Sequence, residues 1–206
     1  MKQPTEIRPA AGKLGVLLPG FGAVATTFVA GVEAARGGQA SPIGSLTQMN
    51  TIRLGKRTDE RTPLIKDFVP LVDLETLVFG AWDPLPDDGS ARAIHAGVLH
   101  KENHLDPIKD FLSSIKPMPA VFDTAYVKKL DGPNKKSGAN KKDLAEQLRA
   151  DIRNFKEENG CDRLVMVWCG STEVYVRPGA VHENIESFEK AMEDDDPAFT
   201  PSMLYA

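Results

Sequence analysis

The stretch Lys13-Leu14-Gly15-Val16-Leu17-Leu18-Pro19-Gly20-Phe21-Gly22-Ala23-Val24-Ala25 decides the fold. Its apolar first half, residues 13–18, has the length of a buried parallel strand. Residues 19–22 break that strand. Small and apolar residues at helical spacing then continue to Ala35, and Gly37 follows as a stop signal. The order strand, glycine turn, helix predicts the first unit of an α/β sheet.

The rest of the chain repeats this alternation. Further strands are predicted at 76–80, 120–122 and 164–168, the first and the last of them buried. Helices are predicted from 91 (capped by Ser90), from 106, from 143 (capped by Asp143) to Gly160, and around 185–192. Residues 39–70 are predicted as loops with a short element near 51–54, and residues 131–142 as a surface loop. Alternating strands and helices predict a Rossmann-like, doubly wound α/β fold, mainly parallel, with helices on both faces. One domain is expected over 13–206, after a flexible arm at 1–12.

The amino-acid composition argues against several classes of protein. The chain has 206 residues, of which 41% are hydrophobic and 26% charged, as in ordinary globular proteins. The 29 acidic residues against 25 basic ones argue against a nucleic-acid partner. No apolar run approaches the roughly 18 residues of a membrane span, and the N-terminus lacks a secretory signal, so a cytoplasmic location without a membrane partner is expected. Two cysteines exclude a disulfide scaffold.

The glycine turn has a pattern with a chemical meaning. Residues 20–25 read G-x-G-x-x-A between a strand and a helix. One glycine makes the turn, the next lets the backbone approach a pyrophosphate, and the small third residue lets helix and strand pack. The phosphates would then meet free N–H groups at the helix N-terminus. The alternative is a plain tight turn, and the correct flanking elements favour nucleotide binding.

Two other strand ends carry candidate contacts. Asp83 ends the second strand, where an acidic residue could bind a ribose hydroxyl, although an Asx turn before Pro84 explains it equally well. Residues 169–172 follow the last strand and could bind a cofactor or form a simple turn. Cys169 has no His or Lys partner in sequence, so it is not predicted to be a nucleophile.

One spacing could suggest a metal. His100 and His104 are four residues apart with Glu102 between them, which could place two imidazoles on one helix face. The order of residues is not H-E-x-x-H, and no third ligand suggests itself. A solvated helix face is the favoured interpretation, and no metal is predicted.

Five segments together resemble one family. They are, in order, Gly44-Ser45-Leu46-Thr47-Gln48 with Leu54-Gly55, Phe79-Gly80-Ala81-Trp82-Asp83, Ile115-Lys116-Pro117-Met118-Pro119, Asp151 to Asn159, and Val167 to Tyr175. The chain resembles the inositol-3-phosphate synthases (myo-inositol-1-phosphate synthases) from about Lys13 to Ala206. The resemblance implies a cytosolic, NAD-dependent isomerase that converts D-glucose 6-phosphate to 1D-myo-inositol 3-phosphate by internal oxidation, aldol cyclisation and reduction. It also implies a homo-oligomer, a tetramer, for a full-length chain.

The resemblance implies a set of NAD contacts. They lie on the glycine loop, on the acid after the second strand, on the pair after Lys-Pro-x-Pro and on the turn after the last strand: Gly20, Phe21, Gly22, Ala23, Asp83, Ala120, Val121, Cys169, Gly170, Ser171 and Thr172.

Two departures from the family qualify this interpretation. The family's loop reads Gly-x-Gly-Gly-Asn-Asn-Gly, whereas residues 20–26 read Gly-Phe-Gly-Ala-Val-Ala-Thr here, so the two asparagines and their amide donors are lost while backbone donors remain. The family also continues beyond a segment like Ser202 to Ala206 into lysine-bearing catalytic segments. The sequence therefore assigns no catalytic residue, and the 206 residues alone are expected to be inactive. A stand-alone NAD-binding module and a domain for another nucleotide or a sugar phosphate remain the alternatives.

Overall fold

A parallel sheet of four strands organises the molecule. The computed structural model describes residues 11–206, so that all but the last two residues of the predicted N-terminal arm lie outside the described residues. The strands are β1 (Lys13–Pro19), β2 (Leu77–Asp83), β3 (Met118–Pro119) and β4 (Cys161–Met166), and all three pairings between them are parallel. Their order across the sheet is β3-β2-β1-β4. The predicted α/β class and parallel sheet are confirmed.

Helices lie between these strands and after β4. They are α1 (Ala23–Arg36), α2 (Leu46–Met49), α3 (Ile65–Phe68), α4 (Gly89–Ala96), α5 (Lys109–Ser114), α6 (Lys141–Asn159), α7 (Ile185–Glu193) and α8 (Pro201–Tyr205). A π-helical turn (Lys101–Leu105) leads into a 3-10 turn (Asp106–Ile108) before α5. Further 3-10 turns lie at Arg57–Asp59, Leu74–Thr76 and Ala180–His182. The predicted helices from 23, 106 and 185 are present, and α6 ends at Gly160 in a left-handed conformation, as predicted.

The core lies on both faces of the sheet. Successive side chains of a strand point to opposite faces, and β1 shows this directly. Val16 and Leu18 pack in a cluster with α1, α4 and α5, whereas Leu17 packs with α6, α7 and α8. Trp82, at the end of β2, belongs to the second cluster and is fully buried. The doubly wound arrangement is therefore confirmed.

Two predicted helix caps are wrong by a few residues. Asp88, rather than Ser90, caps α4, because its Oδ1 accepts the N–H of Ala91 at 3.0 Å. Asn140, rather than Asp143, caps α6, because its Oδ1 accepts the N–H of Asp143 at 2.9 Å. In both cases a polar side chain earlier in the chain satisfies the orphan donors of the first turn.

The segment 131–142 is not a free loop. Asn134 donates its backbone N–H to the oxygen of Pro84 at 2.8 Å and its amide to the oxygen of Asp83 at 2.9 Å. Lys136 donates its N–H to the oxygen of Ala120 at 2.8 Å. The strand predicted at 120–122 is therefore wrong in its position. The regular pairing of β3 ends at Pro119, and only an isolated bridge between Ala120 and Lys135 follows.

Candidate cofactor site

The site lies where β1 and β4 end. After β1, the chain continues to β2 and β3 on one side of β1, whereas β4 lies on the other side. The strand order therefore reverses between β1 and β4. Ligands of open α/β sheets bind at such a reversal, beyond the carboxyl ends of the strands. Gly20 has a φ of +89°, and a Cβ on it would lie 2.5 Å from the Cα of Gly170. The turns after the two strands therefore touch, and only glycine fits at position 20.

Hydrogen bonds fix the glycine turn from both neighbouring strands. The N–H of Gly20 donates to the oxygen of Trp82 at 2.8 Å, and the N–H of Cys169 donates to the oxygen of Pro19 at 2.9 Å. Phe21 follows with its side chain fully buried in the core. The backbone of the turn is thus held in place before any ligand arrives, which lowers the ordering cost of binding.

Asp83 anchors this turn. Its Oδ2 accepts the N–H of Phe21 at 2.7 Å, and its Oδ1 accepts the N–H of Leu85 at 3.0 Å. The second bond is the Asx turn that the sequence allowed, while the first joins β2 to the glycine loop across 62 residues. The side chain is buried, with a residue exposure of 2%. The predicted contact of Asp83 with a ribose is not tested by this geometry and stays a prediction.

The N-terminus of α1 presents free donors. Gly22 precedes the helix in an extended conformation, no side chain caps it, and no acidic residue lies in the first turn. Among the described residues, the N–H groups of Ala23 and Val24 have no acceptor. Unpaired N–H groups and the helix dipole make such an end favourable for an anion.

A small cavity opens at this point, with a free volume of about 90 Å³. It continues into a groove of about 520 Å³, and the two share Val127, Leu130, Ser171 and Glu173 in their linings. Most of the residues predicted as cofactor contacts line the cavity: Gly20, Gly22, Asp83, Ala120, Val121, Cys169, Gly170 and Ser171. Thr172 lines the neighbouring groove. Phe21 and Ala23 belong to the same loop without lining either space.

Several lining residues were missed by the sequence reasoning. The most consequential are Trp82, Arg92 and Tyr205. Tyr205 packs edge-to-face against Trp82 at a centroid distance of 5.4 Å, and its hydroxyl oxygen accepts the N–H of Val121 at 3.0 Å. Burial raises the pKa of this phenol well above its usual range. No local motif marks Arg92 and Tyr205, because α4 and α8 bring them to the cavity from distant parts of the chain, whereas Trp82 directly precedes Asp83 on β2.

Cys169 lines the same cavity. Burial raises its pKa above the ordinary thiol value. A thiol with a raised pKa is a weak nucleophile at neutral pH, which agrees with the absence of Cys169 from the predicted nucleophiles.

The two histidines belong to the turn before α5. The N–H of His100 donates to Nδ1 of His104 at 3.0 Å, so His104 satisfies a backbone donor of that turn. Within residues 11–206, no group of three His, Cys, Asp or Glu side chains is placed to hold a metal ion. Over the same residues, no helix is both long and apolar enough to cross a membrane.

Comparison with known proteins identifies the family. A family model for the NAD-binding portion of myo-inositol-1-phosphate synthase matches residues 14–206. Inositol-3-phosphate synthase 1 of Bacteroides thetaiotaomicron is 48% identical over 208 residues, covering 100% of this chain and 47% of the relative. Inositol-3-phosphate synthase 1 of rice is 32% identical, covering 94% of this chain and 41% of the relative. The chain thus spans less than half the length of these relatives.

Solved structures agree in fold. The inositol-3-phosphate synthase of Caenorhabditis elegans has a TM-score of 0.84 at 23% identity, over 96% of this chain and 42% of that one. A myo-inositol-1-phosphate synthase-related protein from Thermotoga maritima has a TM-score of 0.57, also at 23% identity, over 94% of this chain and 43% of that one. The predicted cofactor, NAD, is confirmed at the level of the family, because the matching model is that of its NAD-binding portion. The chain belongs to the myo-inositol-1-phosphate synthase family.

Proposed function

We propose that this chain is the NAD-binding portion of an isomerase that converts D-glucose 6-phosphate to 1D-myo-inositol 3-phosphate. One observation carries the cofactor part of the proposal. The glycine turn is held between the ends of β2 and β4, and the N–H groups of Ala23 and Val24 that follow it have no acceptor among residues 11–206. The pyrophosphate of NAD is the group that such a helix end favours.

The size of the cavity limits how NAD fits. Ligand pockets usually measure about 300–1000 Å³, whereas the cavity here measures about 90 Å³. Only part of the dinucleotide enters it, and the remainder extends into the neighbouring groove of about 520 Å³. The cofactor then runs from the glycine turn past Ser171 towards Thr172, along residues that the family resemblance assigns to it.

The chain's own residues bind and orient the cofactor. Bound NAD supplies a hydride acceptor and, after reduction, a hydride donor. Trp82 and Tyr205 form an apolar wall of the cavity and reduce the access of water. Asp83 stays a predicted contact of the adenosine ribose. No catalytic residue is assigned to this chain, and the sugar phosphate and the tetrameric assembly belong to the proposal for the whole protein.

The test of the cofactor site is Gly22→Val. A Cβ at Gly22 meets nothing within 4 Å, and its φ of −92° suits any residue, so the fold accepts the substitution. The added isopropyl group would occupy the surface that the pyrophosphate approaches. We expect the affinity for NAD, measured by isothermal titration calorimetry, to fall at least about a hundredfold.

Gly31→Val is the matched control. Gly31 lies in the middle of α1 with nothing within 4 Å of a Cβ, so this variant adds the same group to the same helix. It should bind NAD like the parent. Equal affinities of the Gly22→Val variant and the parent would remove the glycine loop from the site. The isomerase reaction is tested separately, as NAD-dependent formation of inositol phosphate by the protein isolated at its native length.

A further inference from the structure

A buried arginine lies beneath the glycine turn. Arg92 is on α4, and its side chain is 7% exposed. Its Nε donates to the oxygen of Phe21 at 3.3 Å, and its Nη2 lies 3.5 Å from Oδ1 of Asp83. It also lines the cavity that contains Gly20 and Gly22. A guanidinium in this position is costly to bury unless its charge and its donors are used.

The protein uses few of these donors. A guanidinium carries five N–H groups in a planar fork. Among the described residues, only Nε makes a hydrogen bond, because the 3.5 Å approach to Asp83 is an ion pair without hydrogen-bond geometry. Both oxygens of Asp83 already accept backbone N–H groups, from Phe21 and Leu85. The N–H groups on Nη1 and Nη2 therefore have no hydrogen-bond acceptor among the described residues, and Arg92 lines the cavity.

Charge balance supports a role for Arg92 in anion binding. The buried carboxylate of Asp83 would repel a phosphate at the adjacent helix end, since charges in a partly buried site are weakly screened. Arg92 neutralises that carboxylate and adds donors that suit phosphate oxygens. The loop itself offers only backbone donors, since residues 20–25 contain no polar side chain.

We propose that Arg92 binds a phosphate of the cofactor directly, from below the glycine turn, while it holds Asp83 and the oxygen of Phe21. The inference rests on the proposed NAD site and adds to it a residue from outside the glycine loop and the other predicted contacts. The ligand chemistry is a phosphate diester or pyrophosphate within a nucleotide, recognised by a planar fork of donors.

Arg92→Met and Arg92→Lys test the proposal. Methionine keeps the length of the buried stem and removes charge and donors. Lysine keeps the charge and loses the fork. We expect the affinity for NAD to fall roughly tenfold to a hundredfold in Arg92→Met and about tenfold in Arg92→Lys. The affinity for adenosine, measured at millimolar concentrations by saturation-transfer NMR, should change less than about twofold.

Inorganic pyrophosphate is the second probe. The parent should bind it weakly, with an affinity that falls as salt rises, and Arg92→Met should lose that binding. Arg149→Met is the control, because Arg149 is an exposed residue of α6 that pairs with Glu146 on the same helix. It should match the parent with every ligand. If Arg92→Met fails to fold because Asp83 loses its partner, Arg92→Lys carries the same comparison of NAD with adenosine.

The outcomes separate the two proposals. If the parent binds neither NAD nor pyrophosphate, the proposed NAD site fails. If the parent binds NAD and both Arg92 variants bind it equally well, Arg92 has no part in binding. If the variants lose NAD and adenosine to the same extent, Arg92 only positions the loop, and the direct contact with phosphate is overturned.

Discussion

The neighbouring strands β1 and β4 both contain an apolar run, residues 14–18 and 164–166, in very different surroundings. Val16 of β1 and Val165 of β4 are partners in the register of the two strands, so their side chains point to the same face of the sheet. Val16 is 4% exposed, and Val165 is 42% exposed. β1 has a strand on each side, whereas β4 has one on one side only among the described residues. An apolar run therefore specifies a strand, while neighbouring elements decide its burial.

The difference continues where the two strands end. The end of β1 is fixed by bonds to both neighbouring strands and opens directly into α1. After β4, Val167 and Trp168 remain 45% and 44% exposed. The candidate site is thus built from one rigid wall, the glycine turn, and one half-exposed wall, the turn at 169–172. Contacts to the first wall should be preorganised, and contacts to the second should adjust to the ligand.

Gly20→Ala should have the largest effect, because it forces the two strand ends apart. The substitution puts a Cβ 2.5 Å from the Cα of Gly170 and holds alanine at a φ of +89°. We expect the free energy of unfolding, measured by urea denaturation, to fall by about 3 kcal/mol or more.

Gly38→Ala separates strain from contact. Gly38 has a φ of +66°, and a Cβ there meets nothing within 4 Å. The free energy of unfolding of this variant should fall only by what alanine costs in the left-handed conformation, about 1–2 kcal/mol. Equal losses for the two variants would mean that the turns after β1 and β4 do not press on one another.

Val16→Ala and Val165→Ala compare the two strands at one register position. Val16→Ala removes buried methyl groups and should lower the free energy of unfolding by about 2 kcal/mol. Val165→Ala removes half-exposed ones and should lower it by about 0.5–1 kcal/mol. Urea denaturation of both variants at equal protein concentration gives the two values. A loss at Val165 as large as that at Val16 would show that β4 is covered in solution.

The sequence predicted what local patterns determine. The strand-turn-helix unit at 13–36, the parallel α/β class and the long helix ending at Gly160 all follow from spacing and from glycine signals within one segment. The glycine turn and Asp83 were also predicted to belong to one cofactor site, and the structure brings them into contact although 62 residues separate Phe21 from Asp83. Strand ends of a parallel sheet meet at one edge, which made that step possible.

Contacts between distant segments were not predictable in this way. Asn134 pairs with the backbone after β2 and fixes a segment that looks like a loop by composition. Arg92 looks like an ordinary polar residue of a short helix until α4 packs beneath the glycine turn. β4 was predicted as a buried strand over 164–168, and both these bounds and the burial are wrong. The strand is Cys161–Met166, and it lies at the edge among the described residues, where local sequence carries no information on what covers it.

The two cysteines allow the finest comparison, since they lie before and after the exposed part of β4. Burial raises the pKa of both thiols. Alkylation by iodoacetamide requires the thiolate, so the rate at each cysteine should keep rising with pH beyond the range of an ordinary thiol. Cys161 is 5% exposed and should react more slowly than the half-buried Cys169.

The cofactor should distinguish the two thiols. Cys169 lines the cavity and Cys161 does not, so saturating NAD should slow alkylation several-fold at Cys169 and leave Cys161 unchanged. Cys161→Ser and Cys169→Ser provide proteins with one thiol each, and mass spectrometry of the alkylated chain gives the two rates. A rate at Cys169 that levels off near neutral pH would contradict its raised pKa. Equal protection of both thiols would mean that NAD reduces the exposure of the whole of β4. The contrast between the rigid end of β1 and the half-exposed β4 would then hold only for the free protein.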